Sequence, residues 1–252
     1  MAFYLIGIGL GDEKDITLHG LEAIEKSTAV YLENYTSLLQ CSVKDLEKLY
    51  GKKIILADRE VVERQSRILD DAMKHDASLL VIGDPLSATT HMDILQRARE
   101  LNIKTEVIHN ASVMTVISET GLQPYKFGKT TSIPFSDKSF HPESPYACIR
   151  ENHSIGAHTL LLLDLKPLEG RFMSVNQAIE YLLKIEEDKK DKMFTKETFC
   201  IGCARLGSPM QLIKAGTAQK LLKEDFGKPL HCLIVPSKMH FMEEDFISRF
   251  KV

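Results

Sequence analysis

The chain carries no surplus of positive charge: 32 lysines and arginines stand against 35 aspartates and glutamates, a formal net charge of −3. Nucleic-acid binding depends on clustered Lys and Arg. Here the basic residues are dispersed among acids along helical faces, which reads as a solvated surface. Long apolar runs are missing too. The opening MAFYLIGIGLGD is too short to span a bilayer and lacks the basic start of a secretion signal; it reads as a strand. Cysteines are few. Cys41, Cys148, Cys200, Cys203 and Cys232 form an odd, scattered set that argues against a disulfide framework and for free thiols in a reducing, cytoplasmic setting. Cys200 and Cys203 make a lone C-x-x-C with no second pair and no His pair at zinc spacing. Read as a strand, TFCIGCARLG points residues three apart to opposite faces, so no metal is expected. No fixed-period repeat occurs.

What is present is the alternation of an α/β protein. A hydrophobic share of 44% and a charged share of 27% are ordinary for a soluble globular chain, and the length allows two modest cores. Short apolar runs predict strands over Phe3 to Ile8, Val30 to Glu33, Ile54 to Ala57, Leu79 to Ile82 and Thr105 to Ile108. The fourth is wholly apolar, as a strand buried on both faces of a parallel sheet should be. Helical periods lie between them. Thr17 is a plausible N-cap for Leu18 to Ser27, and Ser42 with Asp45 opens a helix that Gly51 ends. Val61, Val62, Ile68, Leu69, Ala72 and Met73 form one helical stripe.

The rhythm breaks near GLQPYKFGKT, and SIPF and FHPESPY add further prolines. The domain boundary is placed there, giving an N-terminal α/β lobe over 1–124 and a C-terminal α/β lobe over 125–252. In the second lobe, His158 to Leu165, Phe199 to Ala204 and His231 to Val235 are expected strands. Ser174 with Gln177 has the spacing of a capping box.

Three loops follow strands in the first lobe, where α/β sheets collect ligands. They are GIGLGD (Gly7 to Asp12), GDPLSATTH (Gly83 to His91) and HNASVM (His109 to Met114). Their glycines allow close backbone approach, and Asp84, Ser87 and Ser112 offer polar atoms to a small ligand. Each of these residues is also an ordinary turn or cap former. Dinucleotide binding is the competing reading, since Glu33 ends the second strand where a ribose-binding acid would stand. Yet the third glycine comes one residue early, and the helix begins too late for its N-terminus to hold a pyrophosphate.

GIGLGDEKDIT, YLENYTS, ADRE, GDPLSATTH, VIHNAS, GLQPYKFGKT, HPESPY, LLLLDLK, RFMSVNQA and PLHCLIV, in this order along nearly the whole chain, resemble the diphthine synthase family. That family lies within the tetrapyrrole methylase-like fold group. The wider group usually carries a GPGD-like first loop. Leu10 stands at the proline position, which counts against a porphyrin or corrin substrate. The resemblance implies a two-lobed fold, with a mainly parallel sheet in the N-terminal lobe and a mixed sheet in the C-terminal lobe. It also implies S-adenosylmethionine as methyl donor, S-adenosylhomocysteine as product, and a cofactor cleft between lobes, commonly in a homodimer. The implied substrate is the 3-amino-3-carboxypropyl-histidine of elongation factor 2, in diphthamide biosynthesis. Cofactor contacts fall on Leu10, Asp84, Ser87, Ser112, Val113, Leu163, Leu206 and His231, with backbone contacts expected at Ser87 and Leu206. RFMSVNQA and the opening half look closer to eukaryotic-type members, which implies four methyls and a methyl ester; trimethylation is the alternative. Asp84 is expected to pair with the ammonium or sulfonium. No residue is assigned as catalytic base: His91, His109, Asp93 and Tyr125 lie near plausible cleft loops but read more simply as structural. A non-catalytic cofactor-binding module is the remaining alternative.

Overall fold

The computed structural model describes residues 1–136 and 141–252. Phe140, which opens the proline-rich FHPESPY segment, lies outside the described residues. The chain forms two compact units, Met1–Met114 together with Gly207–Pro209, and Thr115–Leu206 together with Met210–Val252. The division thus falls about ten residues before the expected position. The prolines of GLQPYKFG sit within the second unit, where Pro124 opens a 3-10 turn over Pro124–Lys126.

The first unit runs β1 (Ala2–Gly7), α1 (Leu18–Lys26), β2 (Ala29–Glu33), α2 (Val43–Tyr50), β3 (Ile54–Ala57), α3 (Arg59–Glu63), α4 (Arg67–Ala72), β4 (Ala77–Val81), α5 (Met92–Glu100) and β5 (Lys104–Ile108). Its strands form one sheet in the order β3-β2-β4-β1-β5, every pair parallel. Successive side chains alternate between two cores. Phe3, Leu5, Tyr31 and Leu79 pack on one face with Val62 and Ile94; Tyr4, Ile6, Leu32 and Leu80 pack on the other with Ile24 and Leu46. Leu79 and Leu80 are both fully buried, each burial stabilising by about 1.5–3 kcal/mol.

The capping signals hold. Thr17 accepts from the Gly20 amide, and Ser42 and Asp45 form a reciprocal capping box that ends at Gly51 in the left-handed region. The stripe from Val61 to Met73, read as one helix, is broken into α3 and α4. The Arg97 guanidinium takes the carbonyls of Val62 and Gln65, and the helix restarts at Arg67.

The short helix α6 (Val113–Val116) carries the chain into the second unit. There follow β6 (Thr131–Ile133), α7 (Ser144–Ser154), β7 (Thr159–Leu163), β8 (Leu165–Lys166), β9 (Arg171–Phe172), α8 (Val175–Lys189), β10 (Phe199–Ala204), β11 (Leu212–Thr217), α9 (Ala218–Leu221), β12 (His231–Val235) and α10 (Phe241–Ile247). The main sheet has the order β11-β10-β12-β7-β6. Only β6 and β7 run parallel; the other pairs are antiparallel. A parallel sheet in one unit and a mixed sheet in the other is the architecture expected from the resemblance. Ser174 and Gln177 cap α8 reciprocally. The two cysteines of the C-x-x-C do face apart: Cys200 joins the core beneath α8, while Cys203 pairs across the sheet with Cys232. No group of His, Cys, Asp and Glu among the described residues would hold a metal ion. No helix of the described chain is long and apolar enough to cross a membrane.

Candidate active site

Strand order brings the three loops together. Because β1 lies between β4 and β5, the segments leaving their carboxyl ends are neighbours. Gly9 and Gly83 exchange backbone hydrogen bonds, at 3.3 Å and 2.7 Å, with φ of +79° and +83°. Such a conformation favours glycine. Gly7 has no room for any side chain: a Cβ there would lie 2.6 Å from the Gly83 carbonyl oxygen and 2.9 Å from Cβ of Asn110. The junction is built from backbone-to-backbone contact that only glycine allows at these positions.

Asp84 is turned into this junction rather than out of it. The residue is only 6% exposed. Its Oδ1 accepts from the Leu86 amide (2.9 Å) and Ser87 Oγ (3.1 Å). Oδ2 accepts from Nδ1 of His109 (2.7 Å) and the Asn110 amide (3.2 Å). Burial pushes the carboxyl pKa up, but these four donors outweigh it and hold it below the usual carboxylate range. Asp84 therefore organises the second and third loops. The direct pairing with a cofactor cation expected from sequence would have to share oxygens already engaged by four donors.

Asn110 completes the stitching. Its Nδ2 donates to the carbonyls of Gly7 (3.0 Å) and Asp15 (2.9 Å). Asp15 in turn accepts the amides of Leu10 (3.1 Å) and Gly11 (2.7 Å) through Oδ2. Neither residue was singled out from sequence, although both lie inside the motifs GIGLGDEKDIT and VIHNAS. Leu10 has its amide committed to Asp15, and a Cβ on Gly83 would lie 3.5 Å from Leu10 Cδ2, so its side chain covers the junction. Ser112 is buried and accepts the Met114 amide at 3.1 Å; Val113, half-buried, begins α6. Leu10, Asp84, Ser87, Ser112 and Val113 thus sit on the three adjoining loops.

The other three candidates belong to the second unit and gather at one end of its sheet. His231 opens β12 opposite Ala204, the last residue of β10. The pairing of Cys232 with Leu162, extended by one residue, sets His231 beside Leu163 at the end of β7. Leu206 follows β10 by two residues, after Arg205 in the left-handed region. The Arg205 guanidinium and Nε2 of His231 both donate to the Lys228 carbonyl, the histidine at 3.0 Å. With Nε2 carrying the proton, Nδ1 of His231 is a buried acceptor that has no hydrogen-bond partner among the described residues. Burial lowers the pKa of this ring, outweighing the Lys228 and Gly227 carbonyls, so it stays neutral at neutral pH.

Of the other residues weighed as possible bases, His109 serves Asp84. Asp93 pairs with Arg97 at 2.9 Å. Tyr125 is exposed on its 3-10 turn. His91 holds the N-cap position of α5 without making a capping bond.

Comparison with known proteins identifies the family. Residues 2–222 match the family model described as Tetrapyrrole (Corrin/Porphyrin) Methylases. The diphthine methyl ester synthase of Dictyostelium discoideum is 47% identical, over 100% of this chain and 99% of its own. That of Schizosaccharomyces pombe is 46% identical, over 99% and 94%. A crystal structure of diphthine synthase superposes with a TM-score of 0.90 at 38% identity, covering 100% of this chain and 96% of that one. Identity at this level over full length carries both the fold and the reaction type. The chain is a methyltransferase and belongs to the diphthine methyl ester synthases of the tetrapyrrole methylase family.

Proposed function

We propose that this chain transfers four methyl groups from S-adenosylmethionine to the 3-amino-3-carboxypropyl-histidine of elongation factor 2, ending in diphthine methyl ester. The observation that carries the reading is the glycine-built junction of Gly7, Gly9 and Gly83. It brings the loops at the carboxyl ends of a parallel sheet into backbone contact that only glycine allows, in a chain whose full-length relatives are named for this ester.

The residues fit such a cofactor. Backbone around Gly83 and Ser87, with Leu10, Ser112 and Val113, would hold it in the first unit. In the second unit, Leu163, Leu206 and His231 are the contacts that the family resemblance implies. When bound, S-adenosylmethionine supplies an activated methyl on a sulfonium, and the protein's part is to align the acceptor with it. The three nitrogen methylations each need a neutral amine, so a proton must leave before each. Once nitrogen is quaternary, only the carboxylate remains, and as an anion it needs no base. The names of the relatives favour this fourth transfer over a reaction that stops at three. The reading also carries a homodimer in the cytoplasm.

Incubation with methyl-labelled S-adenosylmethionine and elongation factor 2 bearing the unmethylated modified histidine tests it. Label appearing in the factor supports the assignment; a factor that stays unlabelled while the cofactor binds refutes the acceptor.

A further inference from the structure

A second polar cluster lies beside the junction, on the face of the first sheet that α3 and α5 cover. Strand alternation sets Glu33 on the same face as Ala29 and Tyr31, whose core includes Val62 of α3 and Ile94 of α5. Glu33 is fully buried. Its carboxylate accepts the amides of Tyr35 (2.6 Å) and Thr36 (2.5 Å) and the Thr36 hydroxyl (2.5 Å). Glu63, about a third exposed, accepts from Tyr35 Oη and from Thr90 Oγ1, each at 3.4 Å. It thereby ties the loop after β2 to the loop after β4.

Into this cluster comes His91, 2% exposed. Its tautomer follows from its neighbour. Thr89 Oγ1 donates to the Pro85 carbonyl (3.0 Å) and so must accept from Nδ1 of His91 (2.9 Å). Nδ1 carries the proton, and Nε2 is left as a lone pair. That atom is buried and has no hydrogen-bond partner among the described residues; Oδ1 of Asn34, next to Glu33, is in the same condition. A buried polar atom without a partner is costly. Here both orphans are acceptors and the neighbouring charges, Glu33 and Glu63, are negative. The missing partner is therefore a donor, and a cationic N–H group suits it.

We propose that Nε2 of His91 is the proton acceptor for the amine being methylated. This rests on the function proposed above. The ammonium N–H bond breaks, its electron pair stays on the amine nitrogen, and the proton forms an Nε2–H bond. The resulting imidazolium faces Glu33 and Glu63 and returns its proton to water before the next cycle. Each of the three nitrogen methylations uses this step. Ester formation does not, because a carboxylate has no proton to lose. Neutral His91 is available for the role: burial holds its pKa down, against the opposing pull of Glu33, the Pro85 carbonyl and Glu63.

The test compares two acceptors with the full-length chain: elongation factor 2 with the free amine, and the factor already trimethylated. H91N and H91Q both remove the basic nitrogen, and cofactor affinity by calorimetry identifies which variant keeps the native loops. In that variant kcat for the free-amine acceptor should fall at least tenfold, while esterification of the trimethylated acceptor stays within twofold of wild type. Equal slowing of both reactions would assign His91 a merely structural role, and unchanged amine methylation would remove it from the chemistry; either overturns the proposal. A wild-type chain that modifies neither acceptor overturns the proposed function itself, and this step with it.

Discussion

Nδ1 of His109 lies 2.7 Å from Oδ2 of Asp84, although the histidine side chain is 65% exposed and the aspartate 7%. The pair joins two loops that are 25 residues apart in sequence. Asp84→Asn keeps the size but retains only one accepting oxygen, so one of the two donor pairs, with its loop amide, loses its partner. Leaving such groups unsatisfied costs about 1–3 kcal/mol. Calorimetry should show S-adenosylmethionine affinity reduced about tenfold or more, with a native but less stable fold. Unaltered affinity would remove Asp84 from the organisation of the site. His109→Ala, at an exposed position, should cost less than Asp84→Asn in both measurements.

Gly9 tests the backbone junction directly. A Cβ there would lie 2.4 Å from Cβ of Asp15, at a φ of +79°. The left-handed conformation alone costs a non-glycine residue about 1–2 kcal/mol, and relief of the clash adds to it. Gly9→Ala should lower the melting temperature by several degrees and abolish measurable cofactor binding. Gly51→Ala, where nothing lies within 4 Å of the added Cβ, should lower stability but leave binding intact.

His231 should matter to binding more than to folding. His231→Phe removes the orphaned Nδ1 and the bond from Nε2 to the Lys228 carbonyl, which Arg205 also holds. Calorimetry should record about a tenfold loss of cofactor affinity, equivalent to about 1.4 kcal/mol, with little change in thermal unfolding. Full affinity in this variant would show that Nδ1 does not face the ligand.

Acid unfolding should report on Glu243, which is buried in the second unit. It accepts from the His240 amide (2.7 Å), the Gln123 amide (2.9 Å), Nε2 of His158 (3.2 Å) and Nζ of Lys126. Burial pushes its pKa up, but the donors win and hold it at about 2. Its folded-state pKa lies below that of the unfolded chain, so the stabilisation is complete above about pH 4.5 and is lost as pH falls towards about 2. Over that window the linkage amounts to on the order of 3 kcal/mol. Glu243→Gln should lower stability at pH 7 and flatten the acid limb of a stability–pH curve. An acid limb identical to wild type would assign the pH dependence elsewhere.

Much of the fold was legible because local chemistry and tertiary structure agree. Ser42 with Asp45, Ser174 with Gln177 and Gly51 are helix signals that the structure uses as such. The break between α3 and α4 was not legible, since it depends on Arg97 reaching carbonyls 32 and 35 residues away. Strand β11 was also missed: LIKAGT has no clean alternation, and its strand character comes from six register partners on β10. At the candidate site, glycine spacing and family resemblance singled out three loops that strand order makes neighbours. They did not disclose that Asp84 points inward, that Asn110 and Asp15 bind the loops together, or that His91 ends in a bare lone pair. Each of those facts depends on which strands are neighbours.

The central claim is tested most directly by peptide mass spectrometry of elongation factor 2, taken with the unmethylated modified histidine and incubated with this chain and S-adenosylmethionine. The expected result is a gain of four methyls on that residue, one of them removed by mild base. Three base-stable methyls would contradict the ester-forming step, and no gain at all would contradict the assignment of the acceptor.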